Sequence, residues 1–313
     1  MTTTGKDDHQ PVLLNEALEG LNIKSNGLYL DATFGRGGHS RKILEMLGKD
    51  GQLVAIDKDP DAIAEGQELA QQDGRFSIWH GSYADVQLCR ESMGLTRQFD
   101  GILLDLGVSS PQLDDPQRGF SFQSEGPLDM RMNPDKGLSA AQWLAQADDK
   151  EIAQVLKEYG EERFAKRIAR AIVTARAEAP IDTTKRLAAI VAAANPKWEP
   201  GKDPATRSFQ AIRIFINQEL DDLKRCLAQV LDMLKPGGRL VVISFHSLED
   251  RIIKRFIREQ SRGDQFPPDM PVTQSQLNPR LRSVGKAVRA TAEEVERNPR
   301  ARSAVMRVAE KLA

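Results

Sequence analysis

The chain of 313 residues is poor in cysteine and in aromatic side chains, and no apolar run in it approaches the length of a membrane span. Only Cys89 and Cys226 occur, far apart, which argues against a disulfide framework or a cysteine-based metal site. A membrane helix needs roughly 18 uncharged apolar residues, and the first ten residues lack the basic-then-apolar order of a signal peptide. These absences predict a protein of the reducing cytoplasm with no membrane partner.

Composition indicates an ordinary globular chain, because 40% of the residues are apolar and 28% are charged. The charge is unevenly distributed along the chain. Residues 1–200 carry 23 basic and 31 acidic side chains, a net charge of −8, whereas residues 201–313 carry 21 and 14, a net charge of +7. A net-positive end is compatible with a polyanionic partner and equally with solvated basic faces.

Strand-like and helix-like segments alternate in the first hundred residues and return near the end of the chain. The predicted strands, each short and apolar, cover residues 27–31, 52–57, 76–79, 99–106 and 239–245. A helical pattern follows most of them, and Pro60 suits the first turn of one such helix. Repeated strand–helix units predict an α/β fold with a mostly parallel sheet.

The alternation is interrupted in the middle of the chain. Residues 111–133 read as a long loop rich in Pro, Gly, Ser and Asp, and residues 138–194 have helical spacing without strand signals. We therefore predict a Rossmann-like domain (1–112 and 206–313) with an inserted helical domain (113–205). A long helix is predicted over 206–234, and an antiparallel edge strand over 303–308.

A glycine-rich turn stands between the first predicted strand and its helix, and includes Gly35, Gly37, Gly38 and His39. Glycine lets the backbone turn tightly and lets a ligand approach. Asp57 ends the second strand about 20 residues later, at the position from which a carboxylate accepts hydrogen bonds from ribose hydroxyls. The pattern favours a cofactor that contains a nucleoside.

The residues around this turn favour S-adenosylmethionine over a nicotinamide cofactor. Ser40 stands where the nicotinamide fingerprint has its third glycine, and Asp31 precedes the turn. An acid there suits the cationic amino group of S-adenosylmethionine better than a pyrophosphate. Tyr83, just after the third strand, is placed either to contact an adenine ring or to be an ordinary half-buried tyrosine.

The fourth strand ends in Asp105, and the chain continues to Ser109, Ser110, Pro111 and Gln112. Ligands of open α/β sheets bind at the carboxyl ends of the strands. This string resembles the Asp/Asn/Ser-Pro-Pro-aromatic motif of methyltransferases that act on amino groups of bases, without the second proline and the aromatic residue. Asp105 and the carbonyls of Ser109 and Ser110 are therefore expected to orient an exocyclic amine toward the methyl donor.

Two other chemistries are disfavoured. Methylation at carbon 5 of a pyrimidine needs a cysteine nucleophile near this string, and neither cysteine is near it. The histidines show no spacing typical of metal ligands, so no metal is expected. These histidines are His9, His39, His80 and His246.

Over nearly its whole length the sequence resembles the RsmH (MraW) family of S-adenosylmethionine-dependent methyltransferases. The resemblance is carried by ten strings, several of which are unlike those of general methyltransferases. They lie at residues 11–16, 31–40, 55–60, 105–115, 118–122, 126–132, 159–168, 204–207, 244–251 and 298–303. It implies N4-methylation of a cytidine of 16S ribosomal RNA at the decoding centre. It also implies cofactor contacts by Gly37, Gly38, His39, Asp57, Tyr83, Asp105 and Gln112.

Two basic helix faces are candidate RNA surfaces. One has Arg163, Lys166, Arg167 and Arg170, and the other has Arg251, Lys254, Arg255 and Arg258. In the long loop, Phe120, Phe122 and Met130 fit either a stacking site for a flipped-out base or a small core. The alternatives to a methyltransferase are a nicotinamide-dependent dehydrogenase and an RNA-binding assembly factor without turnover.

Overall fold

The structure is a computed structural model that describes residues 11–197, 201, 203–264 and 277–313. The described chain divides into two compact units. The sheet unit contains the residues up to Gly107 and from Leu220 onward, and the helical unit is Val108–Glu219. The domain boundaries predicted from the sequence, after residues 112 and 205, follow changes in sequence pattern and remain a proposal. The two compact units of the structure divide instead after residues 107 and 219.

The sheet unit is built on one mixed sheet whose strand order is β3-β2-β1-β4-β5-β8-β6, with β7 also paired to β8. Strands β1 to β5 are parallel, and β6 to β8 are antiparallel to their partners. The strands are β1 (Leu28–Asp31), β2 (Gln52–Asp57), β3 (Phe76–His80), β4 (Phe99–Asp105), β5 (Leu234–Ser244), β6 (Leu281–Ser283), β7 (Val288–Arg289) and β8 (Val305–Lys311). The predicted Rossmann-like, mostly parallel sheet is confirmed.

Helices cover both faces of the sheet, which explains why its central strands are apolar throughout. Leu30, Ile102 and Val242 face the core on one side of the sheet, while the adjacent Leu103 and Val241 face the core on the other side. The helices are α1 (Leu14–Leu21), α2 (Gly38–Met46), α3 (Pro60–Gln72), α4 (Val86–Ser92), α11 (Glu219–Met233), α12 (Ser247–Arg262) and α13 (Ala292–Arg297).

The helical unit consists of α5 (Ser110–Asp114), α6 (Ala140–Gln146), α7 (Asp149–Gly160), α8 (Ala165–Glu178), α9 (Thr184–Ala194) and α10 (Thr206–Asn217). Phe120 and Met130 are buried in its core, and the Phe122 ring lies against Phe209 with centroids 4.8 Å apart. Asn217 binds the same loop, since its amide nitrogen donates to the Met130 carbonyl at 2.7 Å. Packing therefore accounts for these three apolar side chains, and the stacking alternative gains no support.

Several predictions of local structure are corrected. The helix expected over 206–234 is two helices, because Gln218 has φ 54° and breaks the helix between α10 and α11. The strand expected at 303–308 begins at Val305 and is antiparallel, but it lies inside the sheet between β5 and β6. The loop expected over 111–133 contains most of α5.

The expected Pro-rich loop at 263–280 falls largely outside the described residues, as does His9. None of the described helices is long and apolar enough to cross a membrane.

Candidate active site

Most of the predicted site residues of the sheet unit lie at the edge where the parallel strands end. Backbone hydrogen bonds hold the first residues beyond β1 to the neighbouring strands: Ala32 N donates to the Leu103 carbonyl at 2.9 Å, and Phe34 N donates to the Ile56 carbonyl at 3.0 Å. The chain after β1 therefore crosses directly between the ends of β4 and β2. This is the position at which open α/β sheets bind ligands.

The glycines after β1 are required by the shape of the turn. Gly35 and Gly37 have φ of 56° and 72°, a region that side chains other than glycine rarely adopt. A Cβ atom at Gly37 would lie 2.7 Å from the Phe34 ring, and one at Gly38 would lie 2.3 Å from Cγ of Pro11. The turn is thus fixed from both sides by close packing.

Helix α2 begins at this turn and directs its N-terminus toward the same edge. The first intrahelical bond runs from Arg41 N to the Gly37 carbonyl at 2.8 Å, so the N–H groups of Gly38 and His39 precede the helical ladder. Such N–H groups, together with the helix dipole, favour an anion. The carboxylate of an amino-acid ligand would suit this place.

Asp31 ends β1 and is almost completely buried, with 1% of its surface exposed. The Ser40 hydroxyl donates to its Oδ2 at 2.6 Å, and Thr33 N donates to its Oδ1 at 3.2 Å. Burial and, to a smaller extent, the charge of Asp57 together raise the pKa of Asp31 to about 7 despite these bonds. Ser40 therefore has a role that the third glycine of a nicotinamide fingerprint could not fill, because glycine has no hydroxyl.

Asp57 ends β2 and connects that strand to the glycine turn. Its Oδ2 accepts from Gly35 N at 2.7 Å, and its Oδ1 accepts from Asp59 N at 2.9 Å. Burial raises the pKa of this carboxyl, and these backbone donors oppose the rise. A third backbone donor, that of Lys58, also lowers this pKa, and the remaining acceptor capacity of the carboxyl group can take a hydrogen bond from a ribose hydroxyl.

Tyr83 is half-buried in the 3-10 turn that follows β3 and packs against the core beneath α11. Ser82 caps this turn by accepting from Ala84 N at 3.0 Å, and its hydroxyl donates to Asp222 at 2.7 Å. Asp222, buried on α11, also forms an ion pair with Lys58. Sequence reasoning missed Asp222, because its contact with Ser82 spans 140 residues and no local pattern marks it.

Asp105 ends β4 beside Asp31, and Thr33 positions its backbone: the Thr33 hydroxyl accepts from Asp105 N at 2.7 Å. The carboxyl group has one buried oxygen, Oδ1, without a hydrogen-bond partner in the described part of the chain. Burial raises the pKa of Asp105 well above its ordinary value, and the charges of Asp31 and Glu249 raise it further. A buried carboxyl oxygen without a partner is costly, which indicates a position that a ligand completes.

His39 faces Asp105 from α2, with Nδ1 3.7 Å from Oδ2 of the carboxyl group. Its other nitrogen, Nε2, lies 3.2 Å from the Val12 carbonyl. Because a carbonyl only accepts, Nε2 must carry the proton, and Nδ1 is unprotonated in the neutral ring. Burial lowers the pKa of His39 to about 4, so the ring is neutral at physiological pH and the contact with Asp105 is not an ion pair.

Glu249 is a second residue that sequence reasoning missed as part of this edge. It is buried on the first turn of α12, where its Oε2 accepts from Phe245 N at 2.8 Å and from His246 N at 3.3 Å. This fixes its charge at the end of β5, next to β4. The structure shows a capping box between His246 and Glu249, but His at the N-cap is not the usual sequence signal, and the electrostatic effect of Glu249 on Asp105 depends on the pairing of the two strands.

The string Ser109–Gln112 belongs to the helical unit and forms the start of α5 rather than a loop. Ser109 and Gln112 make a capping box, in which the Gln112 side-chain oxygen accepts from Ser109 N at 2.9 Å. Pro111 lies in the first turn, where a missing N–H costs little. The carbonyl of Ser109 accepts from Leu113 N at 3.3 Å. The predicted contacts of Ser109, Ser110, Pro111 and Gln112 with substrate or cofactor stay predictions.

The residues of the sheet unit fit S-adenosylmethionine group by group. The N-terminus of α2 offers donors for its carboxylate, and buried Asp31 offers a counter-charge for its ammonium group. Asp57 can accept from its ribose, and Tyr83 lies on the turn after the neighbouring strand. The Asp105 oxygen that has no partner among the described residues lies at the end of β4, between the ends of β1 and β5.

Comparisons with known proteins agree with this geometry. The model of the MraW methylase family matches residues 6–312. Two relatives called Ribosomal RNA small subunit methyltransferase H are 57% identical to the chain. The one from Pseudoalteromonas atlantica covers 99% of this chain and 100% of its own length, and the one from Thioalkalivibrio sulfidiphilus covers 97% and 98%. A solved rRNA methylase from Streptococcus thermophilus aligns over the whole of both chains at 10% identity with a TM-score of 0.42, which adds nothing to the assignment. The chain belongs to the MraW methylase family, and its cofactor is S-adenosylmethionine.

Proposed function

We propose that this methyltransferase transfers a methyl group from S-adenosylmethionine to the exocyclic N4 amine of a cytidine in 16S ribosomal RNA, at the decoding centre. The observation that carries the proposal is Asp105, a partly buried carboxyl group at the end of β4 whose buried oxygen Oδ1 has no hydrogen-bond partner in the described chain. The names of the two relatives support the small-subunit RNA as the acceptor. The cytosine and its position come from the resemblance of the sequence to the RsmH family.

The chemistry of an exocyclic amine explains why a carboxylate is needed. The lone pair of this amine is delocalised into the ring, so the nitrogen is a weak nucleophile. An N–H that donates to the Asp105 carboxylate helps to hold the nitrogen pyramidal with its lone pair toward the donor. Positioning and electrostatics of this kind supply most of the catalysis in such a reaction.

Asp105 is also suited to receive the proton that the reaction releases. Bound S-adenosylmethionine supplies an activated methyl carbon, whose bond to sulfur breaks as its bond to nitrogen forms. The methylated nitrogen must then lose one proton. A carboxylate whose pKa is well above the ordinary value is a stronger base than an exposed aspartate, and it lies within reach of an amine that it already binds.

The Ser109–Gln112 string is the second element of the proposed site. We assign the carbonyls of Ser109 and Ser110 to the orientation of the amine, Pro111 to the shape of the chain there, and Gln112 to the cofactor. Asp105 and Ser109 are four residues apart in the sequence, so one short connection joins the two elements. The proposed partner is the small-subunit RNA, alone or in the assembled subunit, and the proposed setting is the cytoplasm.

Each unit presents a basic helix face for this RNA. On α12, Lys254, Arg255 and Arg258 are exposed, whereas Ile253 and Ile257 face the core. In the helical unit, Lys166, Arg167 and Arg170 of α8 are likewise exposed. Cations on such a face neutralise phosphates and make the affinity depend on salt.

Removal of two charges from the α12 face is expected to weaken RNA binding and its salt dependence. In the double variant Arg255→Gln, Arg258→Gln, the slope of log affinity against log salt should fall by roughly 1.4 to 1.8, which corresponds to two phosphate contacts. The matched control is Lys42→Gln, Lys49→Gln on and just after α2, where both lysines are exposed away from the carboxyl edge. The slopes are measured by filter binding to 16S RNA. Equal slopes for both double variants would exclude the α12 face as an RNA-binding surface.

The acceptor class is tested by competition between RNAs. Labelled S-adenosylmethionine is incubated with the protein and with small subunits, large subunits or a synthetic RNA, all lacking modification. We expect label in the small-subunit RNA alone. The non-enzyme alternative, an assembly factor with a cofactor pocket, predicts cofactor binding without label in any of them.

A further inference from the structure

A cavity of about 560 Å³ lies in the sheet unit, and it is separate from the residues assigned to the cofactor. It is a partly open cavity, bordered by the start of α1, by α13 and by the turn that follows α13. Its polar lining consists of Asn15, Glu16, Thr291, Glu294, Arg297, Asn298 and Arg300, and the Glu294 carboxylate already accepts from Leu13 N. Volumes of this size are typical of sites for small ligands.

The direction of β8 places this cavity at the same edge as the active site. Because β8 is antiparallel to β5, its first residue, Val305, pairs with Ser244, the last residue of β5. The turn at 299–303 and α13 precede Val305, so they stand at the carboxyl edge of the sheet. Asp105 pairs with Ile243 on the next strand at that edge.

The chain entering α1 separates the cavity from the glycine turn. Pro11 lines the cavity and also lies against Gly38, while the Val12 carbonyl accepts from His39. The next residue, Leu13, is held to α13, since its N–H donates to Glu294 at 2.7 Å. A ligand in the cavity would therefore be one short segment away from the cofactor turn.

The chemistry of the lining fits one nucleotide of an RNA chain. Arg297 and Arg300 can neutralise a phosphate, and residues 280–302 carry seven basic and three acidic side chains. Asn15 offers an amide and Glu16 a carboxylate, which can bind base edges or ribose hydroxyls. Asn15 is exposed and Glu16 half-buried, and neither makes a hydrogen bond through its side chain to another described residue.

We propose that this cavity binds a nucleotide of the RNA substrate that neighbours the methylated cytidine, with its phosphate at Arg297 and Arg300 and its base or ribose at Asn15 and Glu16. This assignment rests on the proposed function, because it names a substrate subsite of the same reaction. It explains why a polar cavity stands beside the cofactor turn without contributing to it. Holding a neighbouring nucleotide would fix the strand while the target base is turned out of its stack.

The test uses the full-length protein and fluorescein-labelled oligocytidylate, a single-stranded RNA, with affinity measured by anisotropy across a salt series. Arg297→Gln should weaken binding roughly tenfold at moderate salt and lower the salt slope by about 0.7, the share of one phosphate on a single strand. Asn15→Ala should weaken binding and leave the slope unchanged, because it removes no charge. Arg297→Lys should restore the slope.

The matched control is Arg302→Gln, which removes an exposed arginine from the adjoining turn that does not line the cavity. It should change affinity less than twofold, and S-adenosylmethionine should bind all variants as it binds the wild type. The cavity assignment is overturned if wild-type protein fails to bind oligocytidylate, or if Arg297→Gln behaves like Arg302→Gln. Methylation of small-subunit RNA by wild-type protein in the same preparation would show that the proposed function survives that result; its absence would show that both fail.

Discussion

Replacement of Asp105 by asparagine is expected to lower kcat for methyl transfer by about 100- to 1000-fold. The variant keeps the volume of the side chain, but it loses the negative charge that accepts from the amine and the base that takes the released proton. Binding of S-adenosylmethionine should change by less than about tenfold, because Asp31, Asp57 and the α2 N-terminus remain. Single-turnover transfer and calorimetric cofactor binding separate the two effects.

The pH dependence gives this prediction a second readout. Since the pKa of Asp105 is raised, wild-type kcat should increase with pH over a range well above the ordinary pKa of aspartate, and then level off as the carboxylate forms. This increase should be absent in Asp105→Asn. The control is Asp232→Asn, an exposed acid near the end of α11. A kcat for Asp105→Asn above a tenth of the wild-type value would rule out the assigned role.

Replacement of Asp31 by asparagine is expected to weaken S-adenosylmethionine binding about 100-fold at about pH 8, because a buried counter-charge of the ammonium group is lost. In the wild type, affinity should fall by up to tenfold per pH unit below about 7, as the Asp31 carboxylate is protonated. The variant has no charge to lose at this position, so this fall should be absent. Calorimetry between about pH 5.5 and 8.5 measures both effects.

Asp31→Asn, which weakens cofactor binding, should favour the folded state of the unliganded protein relative to wild type as the pH rises. The folded-state pKa of Asp31, about 7, lies above the value for an unfolded chain. Its contribution to stability is therefore full below the unfolded pKa of about 4 and lost as pH rises through about 7. The complete loss corresponds to ~4 kcal/mol.

The measurement compares unliganded proteins. The free energy of unfolding of Asp31→Asn relative to wild type should rise by up to ~1.4 kcal/mol per pH unit between about pH 4 and 7, and then level off. Urea unfolding at several pH values gives this difference. A constant difference across that range would show that Asp31 is already ionised in the folded protein at low pH.

The parts of the fold that could be predicted from sequence depend on local patterns. The apolar strands, the glycine turn with Asp31 and Asp57 at strand ends, and the first-turn Pro60 each occupy a few consecutive residues. Parallel pairing then follows from the strand–helix alternation, and it brings the strand ends to one edge. The sheet and the position of the cofactor turn could therefore be predicted from the sequence.

The remaining features depend on pairings between distant residues. Asp222 reaches Ser82 across 140 residues, and the effect of Glu249 on Asp105 needs β5 beside β4. The position of β8 inside the sheet depends on β6, whose three residues give almost no signal. The break at Gln218 depends on one positive φ in an otherwise helical sequence. Local propensity does not encode such choices, because tertiary packing decides them.

The central claim is tested most directly by identifying the methylated atom. Small subunits that lack the modification are incubated with the protein and methyl-labelled S-adenosylmethionine, and the 16S RNA is digested to nucleosides and separated beside authentic standards. We expect label in N4-methylcytidine, in a fragment from the decoding centre, and loss of that label with Asp105→Asn. Label in 5-methylcytidine, in a ribose-methylated nucleoside or in a protein, with none in N4-methylcytidine, would contradict that claim.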